Sequence, residues 1–259
     1  ALSDTLMIGE LSYQGLAILA ADGVLATIVN VMAGGGGMIV LPVLMALGLP
    51  ADVANGTYRL GVVTQSVAGT AALNRAGKLE TRSIVPILIP TVSGAVVGAL
   101  LATWIPPELL KPIMLATMII MAALIAFRKQ TLIPPEGPAL RPSDAPRSFV
   151  GLFFAGVYGG FIQAGVGFLL LGVLVGTLRH NLITANALKL VVTLAFGSVA
   201  LGIFMWAGLV SWAPAIVLAV ASIVGARLGV KLMLRVPAAG LRWFVFACVV
   251  ATSVVAWFR

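Results

Sequence analysis

Residues 11–49 run through 39 positions with a single charged side chain, Asp22. A helix that crosses the hydrocarbon core of a bilayer takes about 20 mostly apolar residues, so this block alone points to a membrane. Seven further apolar runs follow, near residues 53–73, 84–104, 109–127, 149–178, 183–206, 212–234 and 241–258. The chain of 259 residues is 61% hydrophobic and 9% charged, whereas about a quarter of a soluble domain is charged. These runs predict an all-α, polytopic bundle with little outside the bilayer, which excludes a separate catalytic domain. The first block is followed by many others, so it reads as a span and not as a cleaved signal. The net charge of +8 comes with no solvated basic face, so nucleic acid is excluded as a partner. Cys248 is the one cysteine and lies in an apolar run, which rules out internal disulfides and cysteine metal sites.

A Pro-rich, charged segment at 128–147 divides the chain, and the order of runs before it recurs after it. Residue matches support a duplication. At an offset of 130, Gly35 and Gly37 fall on Gly165 and Gly167, and Arg59-Leu60 on Lys189-Leu190. At 131, Ala76-Gly77 falls on Ala207-Gly208, Gly94 and Gly98 on Gly225 and Gly229, and Pro106 on Pro237. The small residues four apart suit close helix packing in lipid. The expected organisation is a first transmembrane repeat at 1–128, a cytoplasmic linker at 129–147 and a second repeat at 148–259.

Loop charges orient the repeats through the positive-inside rule. The loop at 74–82 carries Arg75, Lys78 and Arg82 against Glu80, while its counterpart near Gly208 carries no charge. Arg128, Lys129, Arg141 and Arg147, then Arg179, then Lys231, Arg235 and Arg242, fall on the cytoplasmic side in the same scheme. The halves are therefore expected to be inverted, with an odd number of crossings each. Five plus five or three plus three satisfies this, and the length of the first block favours two real crossings over a re-entrant hairpin.

Two features point to chemistry. Four glycines, Gly34, Gly35, Gly36 and Gly37, interrupt the first block, with Pro42 beyond; Gly159-Gly160 and Gly165-Val166-Gly167 interrupt the second. Each glycine costs a helix about 1 kcal/mol relative to Ala, so the chain is expected to unwind there. Paired broken helices expose backbone N–H groups and helix N-termini to an anion. The alternative is that the glycines only let helices pack closely. The second feature is Arg59 with Lys189, equivalent by the repeat and each within a run otherwise free of charge. If their helices start near Asp52 and Asn181, as caps, each cation lies about 10–12 Å into the membrane. An intramembrane cation marks a pathway or a paired site. Asn55 shares a face with Arg59 and Asn186 with Lys189, with Thr57 and Thr193 nearby; such a set would hold a small oxyanion. Snorkelling, or pairing with a distant carbonyl, is the alternative.

Gln163, in the second break, is a candidate to line the same cavity, and Gln65 and Ser66 are weaker candidates. Asp22 is the candidate coupling residue, with a helix-end role as its alternative. His180 is expected to be solvated in a charged loop, and Arg227 and Lys231 to anchor a helix end.

The run from Gly34 to Pro42, then Gly48-Leu49-Pro50, Ala54-Asn55-Gly56-Thr57-Tyr58-Arg59-Leu60 and Arg75-Ala76-Gly77-Lys78, resembles the first half of the sulfite exporter TauE/SafE family. Tyr158-Gly159-Gly160, Gly165-Val166-Gly167 and Ala187-Leu188-Lys189-Leu190 resemble its repeat. The resemblance implies a multi-pass permease of the bacterial inner membrane for sulfite, thiosulfate or an organosulfonate. The expected function is secondary transport, as a candidate exporter, of a small sulfur-containing anion by alternating access. Its rivals are an anion channel and a structural or assembly subunit. A membrane enzyme is disfavoured, since no nucleophile–base pair or metal-ligand cluster stands out. Expected partners are the anion, a coupling proton or sodium ion and membrane lipid; a homodimer is left open, and no cofactor or metal is expected.

Overall fold

The computed structural model describes residues 7–8, 11–81, 83–127 and 135–235. A short antiparallel pair, β1 (Met7–Ile8) with β2 (Leu11–Ser12), precedes a chain that is otherwise helical among the described residues. The first half holds α1 (Tyr13–Ala33), α2 (Gly37–Ala46), α3 (Ala51–Arg75), α4 (Ile84–Trp104) and α5 (Pro107–Phe127). The second holds α6 (Arg147–Phe161), α7 (Val166–Leu171) with a π-helical continuation (Gly172–Thr177), α8 (Leu182–Trp206) and α9 (Trp212–Met233). The last apolar run, 241–258, lies outside the described residues, as do Arg82, Arg128, Lys129, Pro237, Arg242 and Cys248.

Five of these helices are long and apolar enough to cross a membrane. Their outward faces are apolar stripes: on α9, Ile216, Val220, Val224, Leu228 and Leu232 recur every fourth residue and are all exposed. A stripe of that spacing on a helix that buries its opposite side is a lipid-facing surface. Trp104, Trp206 and Trp212 sit exposed at the end of the bundle away from Arg75, Lys78 and Arg179, where amphipathic rings favour the interface of a bilayer.

The residue matches between halves have physical causes. α3 and α8 both run 25 residues and end at a glycine with positive φ, Gly77 (67°) and Gly208 (73°). Lys78 N–H then donates to Leu73 O at 3.0 Å and Leu209 N–H to Phe204 O at 2.9 Å, the closing bond of a left-handed helix C-terminus that only glycine adopts without strain. Asn181 caps α8 as expected, accepting from Thr184 N–H at 2.9 Å. Asp52 does not cap α3; Pro50 holds that position, and Asp52 lies in the first turn, its Oδ1 accepting from Val53 N–H at 2.8 Å.

Packing follows the glycines. A Cβ at Gly94 or Gly98 would run into the backbone of α6 at Phe153 O or Val157 O. At their equivalents, Gly225 and Gly229, it would meet α1, 2.6 Å from Val24 O and 3.0 Å from Val31. α4 thus packs on α6 and α9 on α1, while α3 packs on α9, α4 on α8 and α3 on α8. This set of pairings maps onto itself when the halves are exchanged, for α1 corresponds to α6, α3 to α8 and α4 to α9.

Candidate functional site

The first long block is a broken helix, α1 followed by the shorter α2. At Gly36 the chain has turned back on α1, so a Cβ there would collide with Ala26 O and lie 2.7 Å from Asn30 Cβ. α2 has only ten residues, about 15 Å at 1.5 Å per residue, so it returns part of the way along α1. In the second half, α6 ends at Phe161, the chain turns through Ile162–Gly165, and α7 begins at Val166. Gln163, at φ 67°, takes a left-handed conformation unusual for a side-chain-bearing residue.

The two breaks touch. A Cβ on Gly34 would lie 2.6 Å from Gly167 C, and one on Gly37 3.1 Å from Ala164 Cα. Since 34 corresponds to 164 and 37 to 167, these two approaches are the same contact seen from each half. Gly36 and Gly165 are the N-cap residues of α2 and α7, so the breaks lead directly into two helix N-termini. Tyr58 flanks this crossing, its ring close to Gly37, and Tyr158 O–H donates to Ala164 O at 2.7 Å.

Arg59 is fully buried and spends its guanidinium on the end of α6. Nη1 donates to Gly159 O at 3.2 Å and to Gln163 Oε1 at 3.3 Å. Nη2 donates to Gly160 O, to Phe161 O at 3.5 Å and to Asn55 Oδ1 at 3.4 Å. Asn55 adds its own bond, Nδ2 to Phe161 O at 2.7 Å. The Phe204 ring lies 4.3 Å beneath Arg59 Cζ, a cation–π contact.

Lys189 does the same to α1. Its Nζ donates to Asn30 O at 2.9 Å, Val31 O at 3.2 Å and Asn186 Oδ1 at 2.7 Å. Asn30 and Val31 stand at the repeat positions of Gly160 and Phe161, so each half supplies a cation to the carbonyl end of the other half's broken helix. Those carbonyls carry the negative end of the helix dipole. They offset each charge in part. Among the described residues neither cation has a carboxylate within ion-pair distance, and the one acid–base contact is that of His180 with Glu80.

The expected residues therefore fall into three groups. Arg59, Asn55 and Gln163 form one cluster, Lys189 and Asn186 a second, and Gly34, Gly37, Gly165 and Gly167 the crossing of the breaks, while Gly36 packs on α1 and Gly35 stands between it and Gly34 in the first break. Thr57 stands apart: its hydroxyl accepts from Ser211 N–H at 3.0 Å and ties α3 to the loop before α9. Asp22 lies on α1, half-buried, its Oδ2 without a hydrogen-bond partner among the described residues. Phe204 was missed, as was the place of the partner carbonyls at the helix ends, although pairing with a distant carbonyl was the expected alternative. The carbonyls could have been inferred, since a break that frees N–H groups also frees the C=O groups before it; Phe204 carries no such signal.

His180 is buried, not solvated, with 2% exposure. Its Nδ1 lies 3.4 Å from Glu80 Oε2, joining the loop before α8 to the loop before α4. Burial lowers its pKa below the ordinary 6.5, and Glu80 opposes that shift. The unfolded chain then binds a proton that the folded chain resists, so stability is lost as pH falls through and below 6.5. Melting in detergent should show this decline, and His180→Gln should flatten it; an equal slope in both proteins would discount the histidine.

Comparison with known proteins bears on the whole chain. The family model described as "Sulfite exporter TauE/SafE" matches residues 19–256. A "Probable membrane transporter protein" of Haemophilus influenzae is 28% identical over 228 residues, 87% of this chain and 88% of that protein. A similarly named protein of a Sinorhizobium species is 28% identical over 221 residues, covering 85% and 84%. A third, from Escherichia coli, is 28% identical over 228 residues, covering 85% and 81%.

Proposed function

Because the chain belongs to the sulfite exporter TauE/SafE family, as a multi-pass membrane protein with relatives named membrane transporters, we propose that it carries a small sulfur-containing oxyanion, sulfite or an organosulfonate, by alternating access between two inverted repeats. The halves 1–128 and 148–259 are the two repeats, joined by the linker at 129–147 on the cytoplasmic side.

One observation supports this reading most. Arg59 and Lys189 are buried cations without carboxylate partners among the described residues, each seated on the broken helix of the opposite half. Two positive charges without acids in a low-dielectric core favour an anion between them. An anion that draws one cation off its helix carbonyls frees that helix end to move. The other cation meanwhile holds its own. Binding is thereby linked to a change of arrangement between halves, as transport by alternating access requires.

The test is exchange in proteoliposomes loaded with unlabelled sulfite, thiosulfate, sulfoacetate, taurine, sulfate or acetate. Uptake of labelled anion that is saturable and accelerated by the same anion inside is the expected result. Flux without such counterflow makes the protein a channel, and no flux of any of these anions ends the proposal.

A further inference from the structure

α3 carries more buried polarity than its two ends use. Asn55, Arg59, Ser66 and Thr70 fall within about 60° of one another around the helix at 3.6 residues per turn. They form one polar face of a helix within a membrane bundle. Ser66 Oγ, Thr70 Oγ1 and Arg59 Nε are all buried and have no hydrogen-bond partner among the described residues, and Gln65 Nε2 on the neighbouring face shares that condition. Ser66 and Arg59 are fully buried.

Their behaviour is not that of ordinary helix hydroxyls. Thr64, Thr91, Thr117 and Ser198 each turn back to the carbonyl four residues earlier, at 2.7–3.0 Å. This is the usual way for a hydroxyl to satisfy itself within a helix. Ser66 and Thr70 leave that bond unmade. A buried polar group left unpaired is costly and calls for an occupant. All four orphans can donate: a guanidinium N–H, an amide N–H and two hydroxyls. Such a row suits an oxyanion and its shed hydration, and repels no part of it.

The face also spans the right interval. α3 and α8 run antiparallel, with Arg59 over Phe204, Val63 opposite Gly197 and Gly69 opposite Leu190. Thr70 therefore lies at the level of Lys189, while Arg59 is about 16 Å away along α3 at 1.5 Å per residue. The matching positions on α8 are Phe196 and Ala200, so the face belongs to the first half alone.

We propose that Ser66 and Thr70 form a polar relay on α3 along which a small oxyanion passes between the level of Arg59 and the level of Lys189. The proposal rests on the transport reading above and adds the residues of the path.

The experiment replaces Cys248 by Ala and places single cysteines by Ser66→Cys, Thr70→Cys and, on the lipid-facing side, Val67→Cys. Intact membranes are treated with a small thiol reagent bearing a sulfonate, with and without sulfoacetate. Labelling at 66 and 70, slowed by sulfoacetate and absent at 67, is the expected result. In parallel, the double variant Ser66→Ala with Thr70→Val should lower sulfoacetate flux by about tenfold, the usual loss for buried hydrogen bonds, and elute as wild type. No labelling at 66 and 70, or wild-type flux in the double variant, overturns the relay and leaves transport standing. Labelling in a protein that moves none of the tested anions overturns the transport reading, and the relay's cargo with it.

Discussion

Arg59→Gln should abolish anion binding, with affinity falling by about a hundredfold or more, roughly 3 kcal/mol. The guanidinium is a buried charge that reaches three carbonyls of α6, Gln163 and Asn55 at once. A glutamine keeps a donor for one carbonyl and removes the charge, so the fold has a substitute bond and the anion has none. Arg59→Lys separates the two roles. It keeps the charge but loses the planar fork, so it should bind more weakly than wild type and more tightly than Arg59→Gln. Lys189→Gln should weaken binding in the same direction, since Lys189 holds α1 as Arg59 holds α6. Titration calorimetry with sulfite, thiosulfate and sulfoacetate, beside melting curves, reads both effects. If Arg59→Gln and Lys189→Gln bind as wild type does, the cations are helix caps and nothing more.

The second large effect is expected at Gly34→Ala. Gly34 has φ 87°, and its Cβ position is occupied by the Gly167 backbone at 2.6–2.8 Å. An alanine there meets the left-handed penalty of about 1–2 kcal/mol and must also push the two breaks apart. Gly48→Ala is the control, because Gly48 has φ 104° with nothing within 4 Å. Gly34→Ala should melt well below Gly48→Ala in detergent, by about 5 °C or more for a further 1–3 kcal/mol of overpacking in a membrane core, and should lose transport. Equal melting of the two variants would mean that the breaks do not need to touch.

Much of this was readable in the chain because lipid simplifies the code. Long runs with few charges had to be membrane helices, and Gly94, Gly98, Gly225 and Gly229 had to be packing positions, since a backbone approached at van der Waals distance tolerates no Cβ. Arg59 and Lys189 stood out because a charge among apolar residues has no bland surface to rest on. His180 misled for the opposite reason. A polar loop looks solvated in sequence, and only its contact with Glu80 from another loop buries it.

By itself, the sequence determined the helical membrane class, the family, and the two cations set within apolar runs. Local chemistry decides those: hydrophobic length, helix-ending glycines and the high cost of a charge in hydrocarbon. Only the tertiary structure decided that α2 folds back on α1, that the two glycine breaks meet at Gly34 and Gly167, and that each cation serves the other half's helix. The reason is that the contacts of the breaks and of the cations join residues 100 to 159 positions apart, and the fold-back of α2 depends on a turn whose direction the glycines leave free. A charge shows in the sequence that it needs a partner, and a broken helix shows that carbonyls are free, but which helix end meets which charge is set by packing alone.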